Sequence, residues 1–110
     1  MALAPEDPHS RSNLAWVLAT SSDASIRDGA KAVELAQQAV SVSGGRELLF
    51  FRTLAAAYAE TGRFSDAIAV IRQAVAIARM QGKTGLANLL EEDVLLYRGQ
   101  VPLRRTSAGD

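Results

Sequence analysis

Apolar residues recur along this chain at helical spacing, three and four apart, and nowhere alternate with the period of two that marks a strand. Leu14, Ala15, Leu18 and Ala19 give the first apolar stripe, opened by Asp7-Pro8, an N-cap followed by proline at the first helical position. Ser21-Ser22-Asp23 interrupts it. Ser25 with Asp28 three residues on resembles a capping arrangement for a second helix, whose face is Ala32, Val33, Leu35, Ala36, Ala39 and Val40. Gly44-Gly45 ends that helix. A third is expected from about Arg46 to Thr61, closing at Gly62. A fourth starts near Phe64–Ser65, carries Ala67, Ile68, Ile71, Ala74, Val75 and Ala78, and ends about Gly82. Thr84 is expected to cap a fifth, bearing Leu86, Leu89, Leu90, Val94 and Tyr97, which Gly99 and Pro102 stop. Arg104–Asp110 reads as a frayed tail. The predicted fold class is all-α, with antiparallel hairpins built from five helices.

Composition narrows the chemistry. The chain has 110 residues, enough for one small domain, and 20 of them are alanine, the best helix former. Without cysteine there is no disulfide, thiol nucleophile or Cys-based zinc site. Twelve basic and twelve acidic residues cancel, and no basic block offers a footprint for nucleic acid. The single histidine, His9, sits beside Pro8 in the first turn and reads as exposed. It supplies no multi-histidine metal site, and Ser10, Ser12 and Ser21 have neither a second histidine nor a paired acid beside them. Glu91-Glu92-Asp93 is a run of acids on a helix, where consecutive residues point apart and cannot share an ion. Gly82-Lys83-Thr84-Gly85 lacks the preceding strand and the spaced upstream glycine of a phosphate loop. The expectation is therefore no enzyme, no cofactor and no metal. No segment approaches the roughly 18 apolar residues of a membrane span, and Met1–Pro8 lacks a basic leader, so membrane insertion is not expected and a cytoplasmic location is favoured.

The third and fourth helices carry a recognisable register. Phe51-Arg-Thr-Leu54-Ala55-Ala-Ala-Tyr58 is followed by Gly62-Arg-Phe64-x2-Ala67-x3-Ile71-x2-Ala74. From Leu48 to about Gln81 this resembles a tetratricopeptide repeat, departing from the family pattern at Ala55, where glycine is commonest, and in lacking a closing proline. A degraded copy precedes it: Leu14-Ala15-x2-Leu18, then Ala32-x3-Ala36-x2-Ala39-Val40, with about five extra residues within 22–29 and Arg11 in place of the apolar opener. The resemblance implies an N-terminal tail over 1–7 and a domain over 8–99. Repeat one covers about 8–44, repeat two about 46–82, a capping helix about 84–99, and a tail follows over 100–110.

What the family resemblance further implies is a short right-handed superhelix whose first helices line a concave face that binds a partner protein or peptide. Carried over residue by residue, the groove positions are Asn13, Trp16, Leu49, Arg52, Ala56 and Glu60, with Ser12, Thr20 and Thr53 beside them. In the cap helix Asn88 and Glu92 continue the row. Trp16 has two readings, an anchor for a partner or a filler packed near Phe51 or Arg52. Arg52 is read either as a partner's carboxylate contact or as solvated or bonded to Glu92. With Ala56 where the family's carboxylate clamps place asparagine, a clamp of that kind is not expected. The function class that follows is a non-catalytic interaction module, part of a larger bacterial protein. A self-associating structural module, or a regulatory appendage of a larger enzyme, is the alternative.

Overall fold

The computed structural model describes residues 7–104; of the tails expected over 1–7 and 100–110, residues 1–6 and 105–110 lie outside them. Among the described residues there are five helices and no strand: α1 (Pro8–Thr20), α2 (Gly29–Ser43), α3 (Leu48–Glu60), α4 (Phe64–Met80) and α5 (Thr84–Arg98). Each helix packs against the next in the chain, and α1 also packs against α3.

Most helix ends are set by local chemistry. Asp7 caps α1 by accepting from the His9 amide, with Pro8 leading the helix. At the other end of the α3–α4 hairpin, Gly62 takes φ 83°, a left-handed conformation that costs glycine nothing. There the Arg63 amide reaches back to the Tyr58 carbonyl and the Gly62 amide to Ala59, closing α3 and reversing the chain within three residues.

Three expected boundaries move. Asp28 alone caps α2, accepting from the Lys31 amide, while Ser25 donates its hydroxyl to Asp23 and takes no part. Those bonds from Ser25 hold the Asp23 carboxyl below its usual range. Thr84 is the first residue of α5 rather than its cap, and no side chain caps that helix. α3 begins at Leu48 rather than about Arg46, because Gly44 and Gly45 both adopt positive φ and the chain needs Arg46 and Glu47 to finish its turn.

Two apolar clusters hold the helices together. One joins Phe51, Ala55 and Ala59 of α3 to Ala67, Ile71, Ala74 and Ala78 of α4 and to Ala87, Leu90, Val94 and Tyr97 of α5. The other joins Ala15 and Ala19 of α1, Ala32 and Ala36 of α2, and Leu54, Ala56 and Ala57 of α3. α3 belongs to both, and nine of its thirteen residues are buried. Alanine at the crossings lets backbones approach closely, and a larger side chain there would force them apart. Tyr58 and Phe64 pack against the first cluster, beside fully buried Ile71. Leu14, expected in the apolar stripe of α1, is half exposed instead, and the helix buries Ser12, Ala15, Ala19 and Thr20.

The chain beyond α5 is not frayed up to Arg104. It turns at Gln100, runs without regular structure through Val101–Arg104, and packs Leu103 against both clusters.

A candidate interaction cleft between α1 and α3

The first turns of α1 and α3 lie side by side and leave a cleft of ≈ 390 Å³, lined by His9, Ser12, Asn13, Trp16, Glu47, Leu49, Phe50, Arg52 and Thr53. Its floor is polar but self-satisfied. The Ser12 hydroxyl donates to Thr53 Oγ1 at 3.1 Å, and the Thr53 hydroxyl donates to the Leu49 carbonyl at 3.2 Å. Both residues are buried, so this pair ties α1 to α3 where two apolar side chains would have to fit a close crossing.

One wall is Trp16, whose ring carries the Arg52 guanidinium 5.0 Å from its centroid. Arg52 is not bonded to Glu92. Its Nε and Nη2 donate to Asp93 Oδ2 and Oδ1 at 2.7 and 3.3 Å, a two-pronged pair in which Asp93 is 2% exposed. Trp16, Arg52 and Asp93 thus form a row across α1, α3 and α5. Tyr97, one turn beyond Asp93, is buried in the same region, and desolvation together with the Asp93 charge pushes its hydroxyl above the ordinary tyrosine range.

The opposite wall is Phe50, buried, with the His9 ring set edge-on at 5.2 Å. His9 itself is exposed, as expected, and its Nε2 lies 3.8 Å from Glu47 Oε2. Exposed Asn13 and Leu49, the latter 53% exposed, form the lip. The cleft therefore presents a partly buried indole stacked under Arg52, an aliphatic lip at Leu49 and the exposed amide of Asn13.

Of the eight expected groove residues, the fold brings four together here: Asn13, Trp16, Leu49 and Arg52. Ala56 is buried at the α1–α3 crossing and presents no surface. Glu60 stands at the far end of α3, held by Arg27 and Arg104. Asn88 and Glu92 are exposed and do not line the cleft, because α5 turns Ala87, Leu90, Asp93, Val94 and Tyr97 inward. The run Glu91-Glu92-Asp93 diverges: Asp93 faces Arg52, Glu91 pairs with Arg79 of α4, and Glu92 faces solvent. Among the described residues no three acids or histidines converge on a common point, and no helix is long and apolar enough to cross a membrane.

Sequence reasoning passed over Phe50, Glu47 and His9 as cleft residues. Helical periodicity could not single out Phe50, since α3 is buried on nearly every side and its apolar positions form no one stripe. The charge of Glu47 just before the helix was the one available hint. Comparison of the chain with family models, with curated proteins and with solved structures finds no match.

Proposed function

We propose that this chain is an interaction module of tetratricopeptide type, two stacked hairpins and a closing helix, that binds an extended segment of a partner protein along the face of α1, α3 and α5. The observation that carries the proposal is the α1–α3 cleft, where partly buried Trp16 and Leu49, half exposed, flank a polar floor whose hydroxyls are already paired. The repeat reading is supported by the three-residue turn at Gly62, by buried Ala55, Ala67 and Ile71 at the hairpin, and by α1 packing against α3. The α1–α2 connection, Ser21–Asp28, is longer than Thr61–Arg63 by the insertion seen in the degraded copy.

Trp16 is the chain's only tryptophan, so its fluorescence reports on the cleft directly. Peptides selected from a random displayed library against the intact chain should shift that emission. Leu49→Lys should weaken them about tenfold or more, as expected for placing a charge in an apolar contact, while circular dichroism stays unchanged. Binders indifferent to Leu49→Lys and silent in Trp16 fluorescence would place the interaction elsewhere. Arg52 is a poor probe, since its loss strands Asp93.

A second reading, self-association, is favoured by the outer face of α4 and α5, where Leu95 is 67% exposed beside Val75 and Arg98. Light scattering across a range of concentrations, with Leu95→Glu for comparison, separates it from binding in the cleft.

A further inference from the structure

The last residue of α3, Glu60, poses a problem that the fold answers with two arginines. A carboxylate at a helix C-terminus faces the negative end of the peptide dipoles, and here its side chain is only 17% exposed. Arg27, anchored by Nη1 to the Ser21 carbonyl at 2.7 Å, brings its Nε to 3.4 Å from one Glu60 oxygen. Arg104 brings Nη1 to 2.8 Å from the other, Oε1, and also donates to the Ala19 carbonyl at 3.4 Å, one of the carbonyls that the end of α1 leaves unpaired.

The fit of Arg104 is incomplete. Its Nη1 also donates to its own Leu103 carbonyl, at 3.1 Å, so the hydrogens aim at two carbonyls. Glu60 Oε1 is buried, close to the cation, and accepts no aligned hydrogen bond. The seat at the C-terminal ends of α1 and α3 therefore holds a carboxylate oxygen that is ion-paired but lacks an aligned hydrogen bond, a helix carbonyl that Arg104 meets only at 3.4 Å, and an apolar slot that Leu103 fills. What sits there is an extended stretch, Val101–Arg104, delivered by the turn at Gln100.

We propose that Val101–Arg104 is a built-in occupant of this seat, and that the seat is a docking site for extended peptides carrying an apolar residue followed by arginine. A partner with that pair, free to align its guanidinium on Glu60, displaces the chain's own segment. The inference rests on the reading that the face of α1, α3 and α5 receives a peptide, but concerns the end opposite the Trp16 cleft.

The test uses the full chain and an amidated, fluorescently labelled peptide of sequence GQVPLR, copying residues 99–104. The variant Leu103→Asp/Arg104→Glu empties the seat; Arg104→Gln does so more gently should the double variant lose helicity. Either should bind the peptide saturably, with affinity about tenfold or more above that of the intact chain, whose tethered segment competes at an effective concentration of about millimolar. Adding Glu60→Gln, or changing the peptide's arginine to alanine, should cost about tenfold, as expected for loss of one charged hydrogen-bonding partner. Leu49→Lys should leave this binding unchanged, so that failure of the cleft and failure of the seat are told apart. No saturable binding up to about 1 mM, equal binding to intact and emptied chains, or indifference to Glu60→Gln would each overturn the proposal.

Discussion

Tyr97 shows how much one side chain's surroundings decide. It is 1% exposed, its hydroxyl has no hydrogen-bond partner, and the Asp93 charge stands nearby. Desolvation, the larger cause, and Asp93 both oppose ionisation and raise its folded-state pKa. The unfolded chain ionises tyrosine near 10, so the folded state is at no disadvantage below that pH and loses stability as pH climbs through it. Tyr97→Phe should remove that share of the alkaline loss. At neutral pH it should leave the protein as stable or about 1 kcal/mol more stable, since an unpartnered buried hydroxyl goes with it. Urea titrations at neutral and alkaline pH check both; a loss of several kcal/mol at neutral pH would mean that the hydroxyl is paired after all. Nothing about Tyr97 in the sequence distinguishes it from any apolar residue in the α5 stripe. Its environment comes from Asp93 and Arg52, and Arg52 is 45 residues away in the chain.

The helices were the most legible elements, because their ends are written within a few residues. Asp7-Pro8, Gly44, Gly62 and Gly82 all act where they were expected to, since a cap or a left-handed turn depends on neighbours no more than five residues away. α5 is the instructive exception. Its closing bonds run from the Val101 amide to Leu96 and from the Gln100 amide to Tyr97, the same pattern as at Gly62. The residue in the left-handed position is Gln100, at φ 59°, one place after Gly99. A side chain there costs roughly 1–2 kcal/mol relative to the right-handed region. Gln100→Gly should therefore stabilise the domain by about 0.5–1 kcal/mol after glycine's own entropic cost, read as a raised midpoint of thermal or urea unfolding. A lowered midpoint would show that Gln100 makes a contact the turn needs. In α5 the stripe of Leu90, Val94 and Tyr97 faces inward as expected, and Asp93 joins it, while Glu92, which the repeat resemblance set in the groove row, is exposed and lies outside the cleft. Periodicity locates a stripe and leaves its edge uncertain by one residue, about 100° of helix.

At the level of the whole molecule, side chains distant in sequence pin the odd-numbered helices together. Ser12 reaches Thr53, Trp16 stacks on Arg52, and Arg52 grips Asp93, each link spanning between 36 and 41 residues of chain. The Arg52–Asp93 pair is the polar clasp between α3 and α5. Removing one partner leaves a charge without its counterion in a poorly hydrated place. Asp93→Ala should cost about 3 kcal/mol, the lower end for such pairs, because Arg52 keeps a fifth of its side chain in water. Denaturant unfolding measures this, and a change below about 0.5 kcal/mol, typical of surface pairs, would show that the clasp is dispensable. The same variant frees Arg52 beside Trp16, so its effect on peptide affinity reports whether that arginine can serve a partner once released.

The sequence by itself determined the helical class, most of the helix ends and the α3–α4 hairpin, because propensity, capping and turn chemistry act over one to five residues. It also brought Asn13, Trp16, Leu49 and Arg52 to notice, through the resemblance of its helical register to a tetratricopeptide repeat. Tertiary structure alone decided which groups those residues meet. It gave Arg52 to Asp93, set His9 against Phe50, buried Ala56, and folded Leu103 and Arg104 back onto the ends of α1 and α3. Such pairings follow from how five helices stack in space, and the energy that selects them is shared by burial, charge and close packing across the whole chain. The stretch after α5 makes the point most sharply: short, interrupted by Pro102 and running into Arg104 and Arg105, it carries no helical period that would mark it as docked. The largely buried carboxylate of Glu60, 44 residues earlier, and the Ala19 carbonyl give Arg104 a reason to dock.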